Sequence, residues 1–303
     1  MRVQPSPVPA FFILLLIAGI CLAGCTGKRS EPAYSVDSSG KLSVSCPVAT
    51  VSEDVLVKNE TYTKSRIVFH TQDGDVVTYL SAPEKPLVAV VYVPGAGETV
   101  AAHGERMLRY AKAGYAFLYV DIRGNGGGTA GLPFGQQLIQ SDYAKFGAGR
   151  WPQYYETICD LSEARRYLAD RYNVPVYAMG SSNGGRYAVI AAATDPAFAG
   201  YIGISTSDWG LYDSITAQDI TGDPVRFAAS VEPSTYIASI SPRPVWILHS
   251  HSDTIIPFDS GKDLYELAGE PKALIEFAGA HGINSDADDR ILSEWAQIYG
   301  TRG

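Results

Sequence analysis

The chain has 303 residues, 46% of them hydrophobic and 18% charged. That excludes wholesale disorder and leaves room for one large α/β domain or two smaller ones. The formal charge is −8 and no basic run exceeds the pairs Lys28-Arg29 and Arg165-Arg166; no nucleic-acid partner is expected, because phosphate neutralisation needs a dense basic surface. The four cysteines, none in a CxxC pair, are too few for a disulfide scaffold and point to no structural zinc.

Ala10 to Gly24 is an unbroken run of 15 apolar or small residues with Arg2 before it. A helix needs about 20 apolar residues to cross a bilayer core, so this run reads as the hydrophobic part of a signal peptide. It ends in Leu22-Ala23-Gly24-Cys25. That string resembles the lipobox of prokaryotic lipoproteins. The resemblance implies cleavage before Cys25 and lipid on its thiol. The protein would then be exported and held on the outer face of the cell membrane or the periplasmic side, since two or more acyl chains suffice for stable attachment. An ordinary secretory signal and an uncleaved anchor are the alternatives. Thr26 to about Cys46 is polar and aperiodic and reads as a flexible tether. The expected division is a signal over 1–24, a tether and lead-in over 25–60, and one domain over 61–303. Asn59-Glu60-Thr61 has the form of a glycosylation sequon. Cys46 and Cys159 could pair in an oxidising exterior or remain free; linear spacing leaves both open.

Beyond the lead-in, strand and helix patterns alternate. Arg66 to Phe69 and Val76 to Leu80 flank the turn Asp73-Gly74 and predict a hairpin. Leu87 to Val93 and Ala116 to Val120 are near-continuous apolar runs, as strands covered on both faces are. A helix is expected from Glu98 to Ala113, and another where Tyr154, Ile158, Leu161, Ala164 and Leu168 recur at helical spacing. Further strands are expected at Val174 to Met179, Tyr201 to Ile204, Val245 to His249 and Ala273 to Phe277. Further helices are expected at Asn183 to Ala193, Asp259 to Leu267 and Asp288 to Tyr299. Such alternation specifies a mostly parallel, doubly wound sheet, here preceded by an antiparallel hairpin. Ligands in these sheets bind at the carboxyl ends of the strands.

Three of those ends carry chemistry. Gly180-Ser181-Ser182-Asn183-Gly184 fits G-x-S-x-G between a strand and a helix, which places the Ser182 hydroxyl on a sharp exposed turn. Asp253 follows the strand Val245 to His249. His281 follows the strand Ala273 to Phe277, in the small-residue loop Ala278-Gly279-Ala280-His281-Gly282. A serine hydroxyl is a weak nucleophile unless a base takes its proton, and the base needs an acid to fix its tautomer. The order Ser182, Asp253, His281 supplies all three.

From about Ile67 to Tyr299 the chain therefore resembles the α/β-hydrolase superfamily. "SPRPVWILHSHSDTIIP" looks like its acid-bearing segment and "AGAHG" like its histidine loop. "DIRGNGGGT" is similar to the Arg-Gly-x-Gly turn of the dienelactone-hydrolase and prolyl-oligopeptidase-like branches. The resemblance implies a catalytic triad of Ser182, His281 and Asp253. It implies an oxyanion hole from the backbone N–H groups of Asn183 and Ala96, the latter in the loop Pro94-Gly95-Ala96-Gly97. Pro94 stands where many members carry His. The implied activity is that of a serine hydrolase, a carboxylesterase on a small ester before a peptidase or amidase of prolyl-oligopeptidase-like type, with no metal or organic cofactor. A non-catalytic binding module on the same fold is the other alternative. About 40 residues between the strands at Ile204 and Val245 leave room for only a short cap insertion.

Other features have plainer readings. Ser182 would serve as a helix N-cap in any strand-helix turn. Asp259 rivals Asp253 but fits the start of a helix. His249 fits packing within its strand, His251 lies on the wrong loop for the base, and His70 and His103 have no partner pattern. Gly126 to Gly131 formally matches G-x-G-x-x-G, yet Leu132-Pro133 does not open the helix that a dinucleotide needs. Asp286, Asp288 and Asp289 suit a helix N-terminus better than calcium.

Overall fold

The computed structural model describes residues 34–300; the expected signal peptide, Cys25 and the start of the tether lie outside the described residues. In chain order the strands are β1 (Tyr34–Val36), β2 (Leu42–Val44), β3 (Thr50–Lys58), β4 (Thr63–Thr71), β5 (Gly74–Ala82), β6 (Ala89–Val93), β7 (Ala116–Val120), β8 (Val176–Ser181), β9 (Gly200–Ile204), β10 (Val245–His249) and β11 (Lys272–Glu276). The helices are α1 (Gly104–Lys112), α2 (Gln136–Gly147), α3 (Gln153–Tyr172), α4 (Asn183–Thr194), α5 (Leu211–Thr216), α6 (Asp223–Val231), α7 (Phe258–Leu267) and α8 (Ser285–Tyr299).

β3 to β11 form one nine-stranded sheet in the order β11-β10-β9-β8-β6-β7-β5-β4-β3. The strands β6 to β11 are mutually parallel, and β3, β4 and β5 join antiparallel at one end. Both faces are covered, and the two-residue period of each strand sorts side chains between two cores. Ala89, Val91 and Val93 of β6 face a core shared with α3 and α4, while Val90 and Tyr92 face one shared with α1 and α8. In the second core Trp295 packs edge-on against Tyr110 and Tyr115, with centroids 5.9 and 5.2 Å apart. The mostly parallel sheet, its antiparallel hairpin and the short cap are all present. The cap between β9 and β10 consists of α5, α6 and two short 3-10 turns, Pro233–Thr235 and Ile237–Ile240.

Three expectations need correction. The tether does not extend to Cys46 among the described residues, because the chain is ordered into strands from Tyr34. The Tyr236 hydroxyl accepts from Leu42 N–H at 2.9 Å, the Tyr34 hydroxyl donates to the Arg150 carbonyl at 3.0 Å, and β3 pairs with β4. These long-range bonds, not local periodicity, hold the lead-in. The helix expected from Glu98 begins later, as a 3-10 turn Val100–His103 running into α1, because the Glu98 side chain is spent on its own loop. Finally, α2, α5 and α6 lie where no helix was expected.

Candidate active site

The chain leaves β6, crosses to β7 on one side and returns to β8 on the other side of β6. The strand order reverses there, so the loops after β6 and β8 flank the crevice that opens at a topological switch point. Val93 pairs with Gly180 across that boundary. The approach depends on missing side chains. A Cβ on Gly184 would strike the Val93 and Pro94 carbonyls, and one on Gly180 would strike the Gly184 carbonyl. The glycines of the motif thus let α4 start against the end of β6.

Ser182 holds the turn with φ 53° and ψ −122°, a left-handed conformation unusual for a residue with a side chain. Its backbone is pinned: Ser182 N–H donates to the Ile204 carbonyl at 2.8 Å, and Thr206 Oγ1 donates to the Ser182 carbonyl at 2.9 Å. His281 Nε2 lies 2.8 Å from Ser182 Oγ. His281 Nδ1 lies 2.8 and 3.0 Å from the two Asp253 oxygens. Asp253 Oδ1 also accepts the N–H groups of Ile255 and Ile256, both at 2.9 Å. Burial works to raise the Asp253 pKa, but the Ile256 N–H, the His281 imidazole and the Ile255 N–H hold the carboxyl below its usual range. The histidine loop is pinned in turn by Ile283 N–H donating to Ser181 Oγ at 3.2 Å and Asn284 Nδ2 donating to the Ala278 carbonyl at 2.8 Å. The three residues expected to act together are therefore in one hydrogen-bonded line.

Ala96 and Asn183 line the same cleft as Ser182 and His281. The loop after β6 spends its other donors internally. Gly95 N–H donates to Glu98 Oε2 at 2.8 Å, Gly97 N–H to Asn125 Oδ1 at 2.7 Å, and Glu98 N–H to the Gly95 carbonyl at 3.2 Å. Asn125 Nδ2 donates to the Gly95 and Glu98 carbonyls at 3.1 and 2.8 Å. Among the described residues the Ala96 N–H is the one in this stretch without a partner. Asn125 and Glu98 were not singled out from the sequence. A signal existed for Asn125, an amide set inside the glycine run of "DIRGNGGGT". Glu98 carried none.

No protein-family profile matches the chain. A protein named only as uncharacterised YfhR from Salmonella typhi is 26% identical over 248 residues, covering 77% of each chain. Among solved structures, the acetyl xylan esterase from Paenibacillus sp. R4 superposes with a TM-score of 0.66 at 15% identity, over 84% of this chain and 90% of its own. The acylaminoacyl peptidase of Pyrococcus horikoshii gives 0.56 at 19%, over 79% of this chain and 42% of its own. The protein has the α/β-hydrolase fold.

On this α/β-hydrolase scaffold the cleft encloses about 460 Å³. Phe134, Arg186, Ile255 and Ile256 complete its walls. The cap above it is fastened by Glu232, whose carboxyl accepts the N–H groups of Trp209, Gly210, Leu211 and Tyr212 at the start of α5. Burial and then the neighbouring Asp208 push the Glu232 carboxyl up to about 7, against the pull of those donors. In the unfolded chain the group returns to about 4.3, so the folded state favours the protonated form. That stabilisation is complete below about pH 4 and is lost as pH rises through about 7. Chemical denaturation at pH 5 and pH 8 should show the wild type losing on the order of 3 kcal/mol more than Glu232→Gln. Parallel losses in the two proteins would mean that Glu232 does not titrate in this window.

The competing residues fall where plainer physics puts them. His249 is buried in β10, with Nε2 2.9 Å from the Ile256 carbonyl, and burial lowers its pKa. His251 stacks on Phe258 at 3.7 Å, and Asp259 lies in the first turn of α7. His70 pairs with Asp75, and His103 is buried 3.3 Å from Glu98. No helix opens on Gly126 to Gly131; the Asp121 carboxylate accepts from Gly128 and Thr129 there. Asp288 receives Arg106 Nε at 2.9 and 3.0 Å, and no group of three or more acidic, His or Cys side chains suited to a metal occurs among the described residues. Cys46 and Cys159 form a disulfide, closing a separation of 113 residues.

Proposed function

We propose that the protein is a serine hydrolase of small carboxylic esters, acting through an acyl-enzyme and held outside the cytoplasm by lipid on Cys25. The observation that carries the catalytic part is the unbroken line from Asp253 through His281 to Ser182 Oγ. As Ser182 Oγ attacks the ester carbonyl carbon, His281 Nε2 takes the hydroxyl proton, while Asp253 holds Nδ1–H and stabilises the imidazolium. The N–H groups of Ala96 and Asn183 receive the oxyanion, a contribution of about 3 to 4 kcal/mol per donor. His281 returns the proton to the departing alcohol, and water repeats the sequence in reverse to release the acid. The modest cleft and short cap favour an ester over a long peptide, and esterases among the structural neighbours, such as the acetyl xylan esterase, support the same choice.

A fluorophosphonate probe should label the purified protein once, on Ser182, and short p-nitrophenyl esters should turn over faster than the matching p-nitroanilides. Labelling that persists in Ser182→Ala sinks this reading. The LAGC string supports the lipid anchor, and a disulfide suits an oxidising exterior. Metabolic labelling with palmitate should vanish in Cys25→Ser.

Asn125 is a positioning residue in this scheme, because it fixes the carbonyls and the Gly97 N–H on either side of the Ala96 donor. Asn125→Ala should lower kcat by roughly 10- to 100-fold, part of the full value of an oxyanion donor, with KM little changed. An equal rise in KM with unchanged kcat would place Asn125 in ground-state binding instead.

A further inference from the structure

Arg186 is the one arginine or lysine lining the cleft, and the proposed chemistry leaves it unused. It sits on α4 one turn beyond Asn183, so both belong to the same helix face. Its guanidinium is fixed in place. Nε donates to the Ser207 carbonyl at 2.9 Å. Nη2 donates to Ser207 Oγ at 3.1 Å and to the Asp208 carbonyl at 2.9 Å. The plane lies 4.0 Å from the Trp209 ring centre, and Trp209 rests on Phe134, another wall of the cleft, at 4.8 Å.

What this cation lacks is a counter-ion. The nearby carboxyls are engaged elsewhere: Glu232 with four N–H groups of the cap, and Asp208 Oδ1 with Ser234 N–H at 2.6 Å. No carboxylate of the described residues makes an ion pair with Arg186, and Nη1 has no protein partner yet is not sealed from solvent. Withdrawing a charge from water without a partner is costly, and an arriving anion would recover that cost. Because three of the five N–H donors already fix the guanidinium plane, little further ordering is needed to use the two on Nη1. Glu98, on the loop after β6, also lines the cleft, and its carboxyl is held below the usual range by His103 and the Gly95 N–H against the effect of burial. Within the cleft the cation therefore stands on α4, while the Glu98 carboxylate stands on the loop after β6.

We propose that Arg186 is an anion-recognition subsite and that the ester cleaved here carries a free carboxylate that pairs with its Nη1. The inference rests on the esterase reading and deepens it by naming the substrate class. Two matched pairs of esters test it on the purified protein: p-nitrophenyl hydrogen glutarate against its methyl ester, with the charge on the acyl side, and para-acetoxybenzoate against para-acetoxybenzamide, with the charge on the alcohol side. The readout is the ratio of kcat/KM for the anionic ester to that for its neutral partner, which cancels any general loss of active protein. In at least one pair the ratio should fall roughly tenfold or more in Arg186→Gln and recover in part in Arg186→Lys. An unchanged ratio in both pairs overturns the proposal while leaving the esterase reading intact. Calorimetric titration of glutarate into Ser182→Ala and into Ser182→Ala/Arg186→Gln separates the two ideas from the other side. Binding that needs Arg186, in a protein that hydrolyses no ester, would retain the anion site and remove the esterase. Absence of both binding and turnover overturns it.

Discussion

Ser182→Ala should lower kcat on any accepted ester by a factor on the order of 10⁴ to 10⁶, and His281→Ala should do nearly the same. The double variant should be no worse than the singles, because the two groups carry out one proton transfer and neither works alone. Asp253→Ala should cost less than either, since the imidazole keeps part of its placement. The Asp253 carboxylate also accepts the Ile255 and Ile256 N–H groups, so the variant loses these two loop bonds together with the one to His281. The measurement is single-turnover kinetics with p-nitrophenyl acetate, alongside circular dichroism to show that the variants fold. Multiplicative losses in the double variant would mean that Ser182 and His281 act in separate steps, which the 2.8 Å contact between them argues against.

Removing the Cys46–Cys159 disulfide should be the largest change in stability available from a single bond. Releasing a closure over 113 residues returns about 4 to 5 kcal/mol of chain entropy to the unfolded state in the loop-closure model. For a domain of this size that corresponds to a fall in Tm of roughly 10 °C. Cys46→Ser/Cys159→Ser and the reduced wild type should melt together, and each single variant should match the double. Two free thiols in the untreated, denatured protein, with no change in Tm on reduction, would show that the bond does not form.

The alternation of strands and helices could be read from the sequence because each central strand is apolar throughout and α3 has a clear helical stripe. The meeting of Ser182, His281 and Asp253 could be read because all three stand just past strand ends, where the chain must turn and side chains must emerge. The supporting shell could not. Asn125 and Glu98 matter through bonds to the backbone of a loop 27 to 30 and three residues away, and no period or spacing encodes that. β1 and β2, three residues each, are too short to show a pattern and depend on the Tyr236 hydroxyl far along the chain. β3 is exposed along its whole length, so it lacks the alternation by which a half-buried strand betrays itself. The α2 stretch is rich in Gln, and it follows a glycine with φ of 150° where a capping side chain would ordinarily announce a helix. Pairing of Cys46 with Cys159 depended on a distance that only the folded chain sets.

The position of that bond has a mechanical meaning. With the chain tethered at Cys25 as proposed, any pull from the membrane enters through the lead-in. Tension can peel β1 and β2, which are held by hydrogen bonds and packing alone, but at Cys46 it meets a covalent stop. The load then passes through Cys159 into α3, a 20-residue helix packed on the main core. β3, an outer strand with one neighbour, lies beyond the stop and is spared. The sheet edge would zip open under a pull in the direction of β4; routed through α3, the same force has to shear a buried helix across the sheet that carries the site.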